Sequence, residues 1–251
     1  LLLLCAFRRH NPDDGMLVPF RDDNPAQRPP VVTVAVIALC VLVSLYQLTL
    51  TGREEEVFIL GFGMIPSVLF GFNELSASIP SVDPWLSVFT SMFLHGGLLH
   101  LAGNMIYLWV FGNNIEDSMG HVRFVAFYLI CGVAAALTQA WVEPDSQLPM
   151  IGASGAVSGV LGAYLVLHPH ARVDVLFVYG LVTKVTLPAV AVLGWWIVVQ
   201  VVNVMLAEPG QGGVAWYAHI GGFVAGMVLI VVFRESHVPL MGGERRRGPW
   251  G

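Results

Sequence analysis

Four polar side chains stand in otherwise apolar sequence, and their types fit one chemistry. They are His100 and Asn104 in "HLAGN", Ser154 in "GASG" and His219 in "AHIGG". Serine and histidine are a nucleophile and its general base. His100 and Asn104, four residues apart, share one helical face and could offer two donors to a developing oxyanion. Each has a plainer reading alone. A serine in a glycine-rich apolar helix usually packs, an asparagine usually bridges helices, and a histidine near a helix end usually sits at the membrane interface. Together they point to a Ser–His dyad attacking a carbonyl. Gly152 and Gly155 flank the serine at an expected helix start, where free backbone N–H groups can join an oxyanion site.

Other hydrolytic chemistries find little in the sequence. HExxH is absent, which disfavours a zinc protease. No pair of aspartates lies in an apolar run. Ala156 breaks the G-x-S-x-G pattern of soluble hydrolases. Cys5, Cys40 and Cys131 have neither metal-knuckle nor disulfide spacing and read as small buried hydrophobes. His168 and His170 bracket Pro169 in an expected interfacial loop. No metal and no cofactor is expected, and the basic residues are too few and scattered for a nucleic-acid partner.

Membrane helices must position these groups. The chain of 251 residues is 56% hydrophobic and 12% charged, about half the charged fraction usual in a soluble domain. Its mean hydropathy is +0.72. Long apolar runs ask for a polytopic membrane protein. Six spans are expected. They cover 31–50, a run begun near Trp85 and continued over 100–111 to a break at Gly112-Asn113-Asn114, 123–142, 152–167, 183–206 and 216–233, the fifth stopping at Glu208-Pro209-Gly210. Residues 57–72 are apolar but interrupted by Gly61, Gly63, Pro66 and Gly71, and read as a broken, partly interfacial loop. Three regions follow: a cytoplasmic segment 1–29, in which 1–15 reads as an upstream extension before Met16, a six-helix domain 30–233, and a basic tail 234–251.

The charges orient this bundle. With the N-terminus inside, every lysine and arginine but Arg53 falls on the inner side, as the positive-inside rule expects. The second, fourth and sixth helices then begin at the outer face, bringing His100, Asn104, Ser154 and His219 to one depth. No acidic residue falls in an expected span, so no carboxylate is expected to orient the histidine.

With those residues in place, the chain resembles the rhomboid family of intramembrane serine proteases over about 16–233. The likeness rests on "HGGLLHLAGNMIYLWVFGNNIED" (95–117), "GASGAVSGVLGAYL" (152–165) and "AHIGGFVAGM" (218–227). The lead "FRDDNP" and the run "SMFLHGGLLH" resemble bacterial members. The resemblance implies an all-α polytopic membrane protein, a six-transmembrane-helix bundle with a membrane-embedded first loop. It implies Ser154 as nucleophile, His219 as base, His100 and Asn104 with the Ser154 N–H as the oxyanion hole, and His95 as a structural residue on the loop entering the second helix. The implied reaction is hydrolysis of a peptide bond in or beside a transmembrane segment of a membrane-protein substrate. The implied setting is the lipid bilayer of a bacterial inner membrane, with both termini cytoplasmic. Two positions depart from the pattern. Leu86 follows Trp85 where many relatives carry arginine. Ser158 stands where some carry an aromatic that packs on the base, so other contacts must position His219, Ser158 being one candidate. A catalytically dead relative would lack the serine or the histidine. A transporter would show polar groups at the midplane and repeats between halves.

Overall fold

The computed structural model describes residues 16–179, 181–207 and 214–242. The extension expected at 1–15, the stop at Glu208-Pro209-Gly210 and residues 243–251 of the tail lie outside these. Helix α1 (Val31–Gln47) follows Pro29-Pro30. Its first donors are held by a side chain from far along the chain. Glu116 accepts from the N–H groups of Val32 and Thr33, each at 2.8 Å, and from Thr33 Oγ1 at 2.7 Å.

Glu116 belongs to α5 (Leu98–Met119), which runs straight through Gly112-Asn113-Asn114 instead of breaking there. At Gly112 a Cβ would come within 3.2 Å of Thr33 on α1. Asn114 is buried and donates to Asp22 at 2.8 Å. Tertiary partners satisfy groups that local preference assigns to a turn. The helix runs past the expected end of the second span and so takes in an acidic residue that lay beyond it. Glu116 is 1% exposed and meets His121 Nδ1 at 2.6 Å. Glu116→Ala leaves three donors at the start of α1 unpaired, the two from Thr33 fully buried. It is expected to destabilise the fold by about 3 kcal/mol or more, read as a lower unfolding midpoint in detergent, with Glu116→Gln losing less.

Three strands, unexpected from the sequence reading, close this end of the molecule. They are β1 (Met16–Asp22), β2 (Arg172–Tyr179) and β3 (Leu181–Pro188), antiparallel in the order β1-β2-β3. Val173 and Val175 are buried, while Asp174 between them faces the other side. It pairs with Lys184 at 2.8 Å and accepts from Thr186 at 2.6 Å. This is the period-two alternation of a half-buried strand. β3 takes Thr183–Pro188 from the expected fifth span, so α8 (Ala189–Leu206) begins later. The 16–29 segment is folded onto the bundle: the N–H groups of Gln27 and Arg28 donate to Asp117, and the Arg28 guanidinium grips Glu235 at 2.7 and 2.9 Å.

Asp22 ties the sheet to α5 through Asn114 and, through the Tyr164 hydroxyl, to α7 (Ser154–Leu167). Burial lifts its carboxyl from 3.8 to about 6, against the opposing effect of the Tyr164 bond. Between those values the folded chain holds a proton that the unfolded chain has lost, so stability falls as pH rises through that window. Amide exchange in β1, corrected for its intrinsic rate, is expected to be less protected at about pH 7 than at about pH 5, and Asp22→Asn to remove the difference.

Helices α6 (His121–Val142), α8 and α9 (Trp216–Phe233) are each long and apolar enough to cross a membrane. The pair Pro84–Phe93 and Leu98–Met119 meets the same measure as one unit bent by 82°, and α1 and α7 are shorter apolar helices. The six runs expected to span fall on α1, α5, α6, α7, α8 and α9, of which three, or four with the bent pair, are long and apolar enough to cross. Exposed Leu42, Val198, Met205, Val228 and Val232 give the outer helices a lipid-compatible face, while α7 is buried almost throughout.

The first loop folds into α2 (Arg53–Phe62), α3 (Pro66–Leu69) and α4 (Pro84–Thr90), the last followed by a 3₁₀ turn at Ser91–Phe93. Its anchors involve backbone groups: Val82 N to Gly61 O at 3.1 Å, Thr90 Oγ1 to Phe62 O at 2.6 Å, and a reciprocal pair between Met64 and Met150 at 3.1 and 2.8 Å. Trp85 and Leu86 face outward, so this loop is held without a Trp–Arg pair.

Candidate active site

α7 has 14 residues, a rise of about 21 Å, against about 30 Å of hydrocarbon in a typical bilayer. Its C-terminal half reaches the sheet through Tyr164, which bonds Asp22 of β1, and its N-terminus lies at the end away from the sheet. Ser154 is its first residue. The first N–H to join the helical ladder is that of Val157, bonded to Ala153 O at 2.9 Å. The N–H groups of Ser154, Gly155 and Ala156 therefore lie at a helix start with positive potential.

The approach to Ser154 is fixed by the first loop. Met150 pairs with Met64, and Gly152 N donates to Ser91 O at 2.8 Å. Gly152 has φ +121°, and a Cβ on it would lie 2.7 Å from Cε1 and Nε2 of His100 and 3.7 Å from Ser154 Oγ. Only glycine fits, because the backbone conformation and the His100 ring both exclude a side chain. His100 and the Ser154 hydroxyl thus both approach the open face of this glycine.

His219 sits in the first turn of α9 and is 2% exposed. Its ring lies between Trp196 at 5.9 Å and Trp216 at 6.0 Å. Its Nδ1 meets Gln200 Oε1 of α8 at 2.8 Å. Gln139 of α6 accepts from the neighbouring Ala218 N at 3.3 Å. Ser154, His219 and His100 line one cavity of about 380 Å³, whose other walls include Met92, Gly132, Ala135 and Ile151. A few polar groups in an apolar concavity is the usual form of a reactive site.

Three of the four expected side chains thus line one cavity. Asn104 is not on the cavity wall. It is fully buried one turn behind His100, with Nδ2 on His100 O at 3.1 Å and Oδ1 without a partner. His95 is buried beside His100, ring centroids 5.2 Å apart, and its backbone is clamped on both sides by the Gln47 amide at 3.0 and 3.1 Å. Ser158 directs its hydroxyl to Ser154 O at 2.6 Å, and the groups that α8 sets against His219 are Trp196 and Gln200. Neither was singled out from the sequence. The available signal was a glutamine inside an apolar span, where polar groups are costly and mark interior contacts. Among the described residues, no three His, Cys, Asp or Glu side chains gather as a metal would need.

A family model described as the Rhomboid domain matches residues 83–236, which takes in α4 through α9. The mitochondrial Rhomboid protein 1 of Saccharomyces cerevisiae is 31% identical over 147 residues, 57% of this chain and 40% of that protein. Rhomboid protease AarA of Providencia stuartii is 26% identical over 228 residues, 80% of this chain and 72% of that protein. Rhomboid protease GluP of Bacillus subtilis is 35% identical over 97 residues, 39% of this chain and 18% of that protein. The chain spans about 40% of the length of the yeast relative, and the likeness is to bacterial and mitochondrial proteins alike. A match over more than half of the chain, on a bundle of apolar helices, makes this an integral membrane protein that belongs to the rhomboid family.

Proposed function

We propose that this protein is an intramembrane serine endopeptidase in which Ser154 is the nucleophile and His219 the general base. The observation that carries this reading is the convergence of three helix N-termini, those of α5, α7 and α9, on one cavity holding His100, Ser154 and His219. His219 takes the Ser154 hydroxyl proton as Oγ attacks the scissile carbonyl carbon. The tetrahedral oxyanion is met by His100 and the N–H groups at the start of α7. His219 then gives its proton to the leaving amine, and water, with His219 again as base, hydrolyses the acyl-enzyme. Asn104 joins the oxyanion donors if its amide turns from His100 O toward the cavity.

The substrate is a membrane protein cut in or beside a transmembrane segment. A helix hides its carbonyls in its own hydrogen bonds, so the segment must unwind locally to enter. The uncharged walls of the cavity favour small, neutral side chains at the cut. The domain responsible is 30–233, with 16–29 packed on its cation-rich end and 234–242 following α9. That end gathers Arg28, Arg123, Arg172 and Arg234, while Arg53 lies near the other. We place the cation-rich end in the cytoplasm of a bacterial cell, with the site near the outer face of the inner membrane.

The test is purified protein in detergent with a fluorogenic transmembrane peptide. The expected result is cleavage within or next to the apolar segment that persists under metal chelation. Absence of cleavage across a panel of such peptides by folded protein contradicts the reading.

A further inference from the structure

We propose that Gln200 is a positioning residue for His219, holding its imidazole in the Nδ1–H form so that Nε2 is the basic nitrogen. The inference rests on the reading of His219 as the general base.

The orientation of the Gln200 amide is fixed from one side. Its Nε2 donates to Trp196 O, one turn back on α8, at 3.0 Å. The flipped amide would set an oxygen against that carbonyl oxygen, so Oε1 is the atom turned to His219. An amide oxygen only accepts. The 2.8 Å contact therefore requires a hydrogen on Nδ1, which in a neutral ring leaves the lone pair on Nε2. Both residues are buried, Gln200 at 0% and His219 at 2% exposure, so water does not compete for this bond. Trp196 is 1% exposed, packs on His219 and stacks on Phe223 of α9 at 5.8 Å. One face of α8, through residues four apart, thus fixes both the tilt of the ring and its tautomer.

An amide suits this depth. A carboxylate would hold the same tautomer and stabilise the imidazolium more strongly, but a buried charge in an apolar bundle is expensive. Among ionisable groups near His219, His100 faces it across the cavity. Glu143 stands further back, accepting from the Gln139 amide that serves Ala218. α8 contributes none. The support that some relatives draw from an aromatic on α7 is thereby supplied by α8, while Ser158 turns to Ser154 O.

The test uses the full chain in detergent micelles and three readouts. In wild type, ¹⁵N spectra of the imidazoles are expected to show His219 as the Nδ1–H tautomer at neutral pH. Gln200→Leu is expected to show a mixture and to lower kcat about 10²-fold with KM little changed, less than the roughly 10⁴-fold seen when a buried carboxylate partner is altered. Gln200→Glu keeps size and the acceptor toward His219 while giving up the donor to Trp196 O. It is expected to retain most of the Leu variant's lost rate and to move the acid limb of the pH–rate profile upward. If Gln200→Leu does not fold, the tautomer of wild type and the shift in Gln200→Glu still decide. An Nε2–H tautomer in wild type, an unmoved limb in folded Gln200→Glu, or an unchanged kcat in folded Gln200→Leu overturns the proposal. Activity independent of Ser154 would instead overturn the function itself, a separate outcome.

Discussion

Ser154→Ala protein is expected to cut a transmembrane reporter peptide at least about 10⁴-fold more slowly than wild type, and His219→Ala to fall about as far. The hydroxyl and the imidazole act in one proton transfer, so the double variant should lose little beyond either single one. The serine change is the cleaner probe. It removes one oxygen from a side chain that is 9% exposed, so the unfolding midpoint should barely move. His219→Ala empties a space between two indoles and leaves the Gln200 oxygen unpaired, so part of its loss is structural. His219→Gln is the companion that fills more of that space. Initial rates at saturating substrate, with the melting curve of each variant beside them, separate the two effects. Residual cleavage by Ser154→Ala at even a tenth of the wild-type rate is incompatible with this serine as nucleophile.

Gly226→Ala, far from any reacting atom, is expected to be nearly as damaging. A Cβ there would lie 1.9 Å from Gly159 O and 2.5 Å from Gly159 C; at Gly162 it would lie 2.1 Å from Phe223 O. These are backbone atoms and cannot turn aside. α7 and α9 would have to part by roughly 1 Å or more to restore ordinary carbon–oxygen contact. The same two helices carry Ser154 and His219, and a misplacement of that size costs about 10²-fold in rate. The loss should appear in kcat together with a lower unfolding midpoint. Gly194→Ala on α8 is the control, because nothing lies within 4 Å of its would-be Cβ, and it should match wild type. Full activity in Gly226→Ala contradicts the close approach on which the site depends.

The candidate site was legible in the sequence because polar groups in apolar runs are costly and stand out. His100, Ser154 and His219 each sit near the start of a helix, and the charge bias sets those starts at one end. Helix positions followed from the apolar runs for α6, α7 and α9. Where the reading departed from the structure, contacts distant in sequence were responsible. Asn114 looks like a helix breaker until Asp22, from a strand 92 residues earlier, satisfies it. Val173-Asp174-Val175 and Lys184-Val185-Thr186 alternate as paired strands do, but the sequence reading took 183–188 into the apolar run of α8. Gln200 was visible as a polar residue in a span. Its pairing with His219 depends on how α8 and α9 are rotated about their axes, which the pattern of neither helix fixes alone.

The central claim is that one serine in this bundle is made nucleophilic by one histidine, and a fluorophosphonate probe tests it without a substrate. Purified protein is treated with the probe, digested, and the adduct located by mass spectrometry. The account predicts one adduct, on Ser154, absent in Ser154→Ala and strongly slowed in His219→Ala. An adduct on another residue, or labelling that persists in Ser154→Ala, would contradict it.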